Sequence, residues 1–372
     1  LIGRITLQLD PTARHPRRSE GSFVTLASGR VLFAYARFER SASDFGRATI
    51  VARHSDDAGC TWSASDRLLV PCEGEVNVMS PSLLRLHDGR IGLFYLRKDR
   101  TGLQDTCFCR LWVRFSDDEA RSFSAPRCIT PMPAYMGINN DRVIQLRGGR
   151  LLAPIAYHPY RMGTHRDERA DVPAAYQPAS LLTCFFSDDG GAHWMQSLNP
   201  QYVVFANGRG LQEPGVIERR DGGVTLWARS GLRRDDQPAR QWLSRSVDQG
   251  LTWSACRPGP FVSPCSPMSI RRLDDGRWLA LWNDRSDRWR LPAPAPRAKQ
   301  RTPLAAAWSD DDGRSWQGHQ LIESDPRRGF CYAAIHRVAD NLLLAYSCGG
   351  AGGTLPLQAL RIRRVRQRDL LG

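Results

Sequence analysis

Ser309-DDDGRS-Trp316 is the last of five copies of one short pattern, after Ser55-DDAGCT-Trp62, Ser116-DDEARS-Phe123, Ser187-DDGGAH-Trp194 and Ser246-VDQGLT-Trp253. The first serines lie 61, 71, 59 and 63 residues apart. In such a stretch the aspartate accepts hydrogen bonds from nearby backbone amides, the glycine supplies a left-handed turn, and the aromatic packs beneath. The repeated element is therefore a turn, and the period belongs to an array of similar units.

A second repeat runs out of phase with the first: Ser22-FVTLASGR-Val31, Ser82-LLRLHDGR-Ile91, Arg142-VIQLRGGR-Leu151, Gly215-VIERRDGG-Val224, Ser269-IRRLDDGR-Trp278 and Ala334-IHRVADNL-Leu343. Each is an apolar run, a Gly or Asn turn and another apolar run, which is a hairpin signature. Two hairpins per unit give four short strands, and four-stranded units repeated about an axis describe a β-propeller. With 372 residues and a period near sixty, the expectation is one all-β domain over residues 1–372, a six-bladed propeller of antiparallel blades. Pro-rich stretches such as Leu291-PAPAPRAKQ-Arg301 read as loops between strands.

Composition narrows the partners. The chain is 41% hydrophobic and 24% charged, with no apolar run near the ~18 residues of a membrane helix. Its net charge of +14 is nearly all arginine, Lys98 and Lys299 being the two lysines. The arginines run from end to end and accompany no nucleic-acid recognition motif, so no nucleic-acid partner is expected. Arginine does suit an acidic substrate, because its planar fork grips a carboxylate at two points. The ten cysteines form no paired CxxC ligand sets and read as small strand fillers. His158 and His165 show no zinc-protease spacing and read as loop or surface groups. No metal or organic cofactor is called for. The compartment stays open, with secretion or the periplasm favoured.

Register gathers chemistry at one mouth. Nine residues before each hairpin turn stand Glu20, Ser80, Asn140, Glu213, Pro267 (Ser266 with a bulge) and Tyr332. Seven or eight residues after it, at the same end of the antiparallel neighbour, stand Arg37, Arg97, Tyr157, Arg229 and the Asn283-Asp284 pair. The long connections 38–47, 158–178, 230–240 and 284–301 leave from that end and carry Asp44 and Arg301. A carboxylate beside a tyrosine can take the phenolic proton and make a usable nucleophile, and arginines can hold an anion next to it.

The boxes, the six-fold repeat and this mouth resemble the sialidase superfamily, six-bladed aspartate-box propellers that remove terminal sialic acids; the resemblance covers essentially the whole chain. It implies Asp44 in Arg37-FERSASDFGRATIVARHSDD-Ala58 as acid/base with Arg37 as a substrate contact. It further implies Tyr332 in Gly329-FCYAA-Ile335 as nucleophile, Glu213 in Gln212-EPGVI-Glu218 as its activator, and Arg229 and Arg301 as two of three arginines on the substrate carboxylate. The third arginine belongs to an Arg-Ile-Pro motif opening the first blade. Here Arg17-RSEGS-Phe23 puts Ser19 or Glu20 at that place, leaving Arg18 or Arg142 to compensate. Arg97, Asp141 and Tyr157 complete the expected contacts, and Ser80 stands where some relatives carry an aspartate near the sugar's 4-hydroxyl. The implied reaction is retaining hydrolysis of an acidic glycan through a tyrosine nucleophile. Because boxes also occur in propellers of other activity, a non-catalytic glycan-binding propeller and a lyase or trans-glycosidase on another acidic sugar stand beside it.

Overall fold

The computed structural model describes residues 1–101, 107–159, 176–232 and 239–372. His165 and parts of the 158–178 and 230–240 connections lie outside the described residues.

In blades 1, 4 and 5 chain order is strand order. Blade 1 runs Arg17–Thr25, Val31–Phe38, Ala48–Ser55 and Arg67–Val70 from the axis outward. Blade 4 is Leu211–Glu218, Val224–Ser230, Arg240–Ser246 and Arg257–Val262, and blade 5 is Ser269–Arg272, Trp278–Trp282, Leu304–Ser309 and Gln317–Glu323. Blade 6 holds Cys331–Val338, Asn341–Ser347 and Leu360–Arg366, and its outer strand is Arg4–Leu9 from the other end of the chain. That exchange ties the first described residues to the last and closes the ring.

Blades 2 and 3 are fused into one ten-stranded sheet. Blade 2 is Asn77–Arg85, Ile91–Arg100, Cys107–Ser116 and Arg127–Cys128; blade 3 is built on Ile144–Gln145, Leu151–His158 and Leu181–Ser187. The short strand Tyr135–Gly137 joins them, pairing parallel to Cys109 and antiparallel to Ala156–His158. Six hydrophobic clusters confirm six blades despite this fusion, because each fills a seam between neighbours. Phe33 and Tyr35 of blade 1 meet Leu343 and Ile362 of blade 6, for example, and Trp227 of blade 4 meets Ile270 and Trp278 of blade 5. A strand covered on both faces needs no polar alternation, which is why Val31–Phe38 reads VLFAYARF.

The boxes are turn staples, as read. Ser55 Oγ accepts from the Gly59 amide at 2.8 Å and donates to Asp57 Oδ1 at 2.7 Å, and Asp57 takes the Thr61 amide at 2.8 Å. The other four serines, Ser116, Ser187, Ser246 and Ser309, make the same pair of bonds.

At the opposite end the inner strands carry a feature that the hairpin pattern does not announce. Glu20, Ser80, Glu213 and Tyr332 all have left-handed backbones, with φ of 59°, 54°, 51° and 57°. Each sits inside a register shift between its strand and the next: Ser19/Gly21, Met79/Ser82, Gln212/Gly215 and Cys331/Ala334. Four blades thus share one bulge, which re-aims a side chain toward the axis. Non-glycine residues hold this conformation only where the surroundings enforce it, and such strain collects at functional sites. In blade 3 the left-handed residue is Asp141, with φ of 58°, one position beyond the expected Asn140. Blade 5 lacks the bulge, since Pro267 has its φ locked negative.

Candidate functional site

The bulges line a cavity of about 610 Å³ at the expected mouth. Its centre is the contact between Tyr332 and Glu213: the phenolic hydroxyl donates to Glu213 Oε1 at 2.8 Å. Arg229 Nε lies 2.7 Å from the other carboxylate oxygen. The Arg301 guanidinium sits 5.5 Å from the centre of the Tyr332 ring. Burial pushes the phenol well above its ordinary pKa and Glu213 adds to that, while Arg301 and Arg229 pull it down. The resting state is therefore a neutral phenol already bonded to the carboxylate that can take its proton. Each arginine leans on a thiol, Arg229 on Cys265 Sγ and Arg301 on Cys331 Sγ, both at 3.1 Å.

Across the cavity, Arg17 holds two carboxylates. Its Nη2 lies 3.0 Å from Glu20 Oε1, its Nη1 bonds Asp44 Oδ1, and its plane rests over the Phe38 ring at 4.2 Å. Ser80 Oγ donates to the second Glu20 oxygen at 2.6 Å. Burial raises the pKa of Glu20 against the opposing pull of Arg17. Asp44 keeps 47% of its side chain open to solvent. Desolvation works against its charge, but Arg17 and then Lys98 outweigh it and hold the carboxyl well below the ordinary range. Asp44 is thus an ionised carboxylate at neutral pH.

Three comparisons of fold follow from this geometry. The chain superposes over 98% of its length on 99% of a protein of unknown function from Dyadobacter fermentans, with a TM-score of 0.70 and 19% identity. A Hadza microbial sialidase matches 96% of this chain and 67% of its own at TM-score 0.70 and 18% identity. The leech intramolecular trans-sialidase matches 100% of this chain and 71% of its own at TM-score 0.71 and 14% identity. At such identities the likeness is one of fold. The BNR repeat-like domain family, in turn, matches residues 32–344. The chain belongs to the BNR repeat-like family.

Within this BNR propeller, Asp44, Glu213, Tyr332, Arg229, Arg301 and Glu20 line one cavity. Six other expected contacts do not. Arg37 is turned to Asp66 at 3.1 Å, Arg97 to Asp99 at 2.9 Å and the Trp112 ring, and Tyr157 packs into the seam between blades 2 and 3. Their shared error is parity. Side chains alternate along a strand, so residues seven and nine past a turn glycine face the cavity, as Leu96 and Lys98, Ala156 and His158, and Arg229 do. Residue eight faces away. Arg18 bonds the Asp10 carbonyl outside the cavity. Asp141 and Arg142 lie deeper along the axis, where Asp141 pairs with Arg271 at 2.6 Å and Arg142 bonds Ser269 and the Met268 carbonyl at 3.1 and 2.7 Å. Burial lowers the Arg142 pKa to about 10.

The sequence reading missed Arg17, Lys98, Arg209 and Lys299, all on the cavity wall. His158, read as a loop group, is buried at a strand end and lines the cavity, its Nδ1 2.8 Å from the Gln177 carbonyl. One signal was in plain view: in a chain whose positive charge is otherwise arginine, both lysines reach this wall.

Proposed function

We propose that this cavity is the active site of an exo-acting, retaining glycosidase of the sialidase type. It would cleave a terminal α-linked sialic acid or a related acidic 2-keto-3-deoxy sugar. The observation that carries the reading is the Tyr332–Glu213 hydrogen bond of 2.8 Å flanked by Arg229 and Arg301. Glu213 takes the phenolic proton as the Tyr332 oxygen attacks the anomeric carbon, forming a glycosyl-tyrosine intermediate. A neutral nucleophile suits a sugar that carries its own carboxylate beside that carbon. Asp44 gives a proton to the departing oxygen and then takes one from the incoming water. Because Asp44 starts ionised, the anionic substrate must first offset Arg17 and Lys98, so a proton is taken up with it.

Ser19 or Glu20 stands where the sialidase resemblance calls for an arginine, and Arg17 is committed to two carboxylates. That arrangement favours a related acidic sugar over ordinary sialic acid. The test is chromophore release from aryl α-ketosides of sialic acid and of 2-keto-3-deoxy acids by wild type and Tyr332→Phe. Turnover by wild type that is lost in Tyr332→Phe supports the reading. Equal turnover by both proteins removes Tyr332 as nucleophile, and binding without turnover by wild type leaves a glycan-binding propeller. Identifying the released sugar separates hydrolysis from lyase or transfer chemistry.

A further inference from the structure

Lys98 is one of two lysines against fifty arginines, the balance of 52 Lys+Arg. A position that keeps lysine in such a chain asks for something a guanidinium does not provide. Its side chain is 2% exposed and ends between two rings, 4.8 Å from the centre of Phe45 and 5.6 Å from that of Tyr135. There Nζ donates to the Asp44 main-chain carbonyl at 2.9 Å. Asn77 Nδ2 donates to the same carbonyl at 2.8 Å and to the Gly46 carbonyl at 2.9 Å. Both lone pairs of the Asp44 carbonyl are thereby occupied, one by a point charge. A compact ammonium fits between the rings and reaches a single oxygen, whereas a guanidinium is a broad fork suited to two.

We infer that Lys98 is the positioning residue of the acid/base loop, fixing Asp44 through its main-chain carbonyl from a buried seat between Phe45 and Tyr135. The role rests on the glycosidase reading for its purpose but not for its physics. The charged and titratable groups facing Asp44 are Arg17 and Glu20 from blade 1, Lys98 and Cys109 from blade 2, Tyr135 from the joining strand and Arg301 from the loop of blade 5. Arg17 bonds the side chain; Lys98 acts through the backbone and through its field. Removing either cation raises the proton affinity of Asp44.

The experiment is a pH titration of the full chain labelled with ¹³C at aspartate carboxyls, with Asp44 assigned by the resonance lost in Asp44→Asn. Wild type, Lys98→Met and Lys98→Arg are compared. A nearby opposite charge is worth about 1 pH unit or more, so Lys98→Met is expected to move Asp44 upward by about that amount, and Lys98→Arg, whose broad fork does not fit a single-oxygen site between two rings, to restore it only in part. Coincident titrations in wild type and Lys98→Met overturn the proposal, as does a Lys98→Arg titration coincident with wild type, which would leave charge alone as the requirement. If Lys98→Met shows no cooperative unfolding transition, Lys98→Gln, which keeps a donor without charge, takes its place under the same criteria. The readout needs no turnover, so an inactive wild type defeats the glycosidase reading and leaves this result standing.

Discussion

Arg17 and Glu20 face one another at 3.0 Å although they stand three positions apart on the same strand. In a regular strand that spacing puts two side chains on opposite faces. The left-handed turn at Glu20 shifts the phase by one residue and brings both into the cavity. The pair is sealed, with Arg17 1% and Glu20 2% exposed. Removing one partner of a buried pair leaves the other charge uncompensated, which costs about 3–5 kcal/mol. Arg17→Met is therefore expected to lower the free energy of unfolding by that order, measured by urea denaturation. Arg18→Met, one residue away but bonded to the exposed Asp10 carbonyl, is expected to change it by about 0.5 kcal/mol or less.

Proton uptake gives a second prediction. With Asp44 held ionised by Arg17 and Lys98, binding of an acidic sugar near neutral pH is expected to draw in up to one proton. Calorimetry in buffers of different ionisation enthalpy measures this directly. Asp44→Asn is expected to bind with no uptake; equal uptake by that variant assigns the proton elsewhere.

A third concerns the proposed nucleophile, Tyr332. Glu213→Gln keeps the shape beside Tyr332 but no longer accepts its proton, so turnover is expected to fall about 10²–10⁴-fold. The loss is expected in kcat for substrates with either good or poor leaving groups, because the proton must leave Tyr332 as it attacks whichever group departs. Single-turnover kinetics on the two substrate types makes the comparison.

The propeller was legible because its repeats are turns, and turn chemistry is local. Ser55, Asp57 and Gly59 need only each other to make their bonds. Tyr332 and Glu213 were legible for a related reason: both lie nine residues before a turn on strands with the same bulge, so counting carried over. Counting failed where it crossed to the second strand and landed on Arg37, Arg97 and Tyr157, because one residue of error reverses the face. Arg17 was hidden by the bulge itself. A pattern of residue types shows no change of phase, so the arginine that enters the cavity looked like the one pointing outward. Arg142 and Asp141 had the residue types expected of a site but bind the propeller's own axis.

The two kinds of glycine on blade 1 give a fourth prediction. Gly29, in the hairpin turn, has φ of 84° and open space where a Cβ would stand. Gly29→Ala therefore meets only backbone strain, about 1–2 kcal/mol. Gly21 follows the bulge, where a Cβ would lie 2.2 Å from the Phe33 ring. Gly21→Ala must displace a core aromatic beside Glu20, so it is expected to destabilise at least as much and also to perturb the cavity. Unfolding midpoints measure the first effect. Turnover or ligand affinity measures the second, with Gly29→Ala expected to leave it unchanged.

The boxes also set how the fold meets acid. Asp57 feels a little burial that works against its charge, but hydrogen bonds from Thr61 and Ser55 outweigh it and bring its pKa to about 2. At Asp311 the same opposition between burial and bonds from Ser315 and Ser309 ends at about 2, and at Asp118 bonds from Ser122 and Ser116 do the same. A carboxyl whose folded pKa lies below its unfolded value stabilises the fold above the unfolded value, near 4, and loses that contribution as pH falls through the folded one. Stability is therefore expected to hold down to about pH 4 and to decline toward about pH 2. The slope of the urea midpoint against pH in that window reads the effect. Asp57→Asn is expected to lower the midpoint at neutral pH and to flatten the slope, because one proton fewer is taken up on unfolding's acid side; an unchanged slope would place the acid sensitivity outside the boxes.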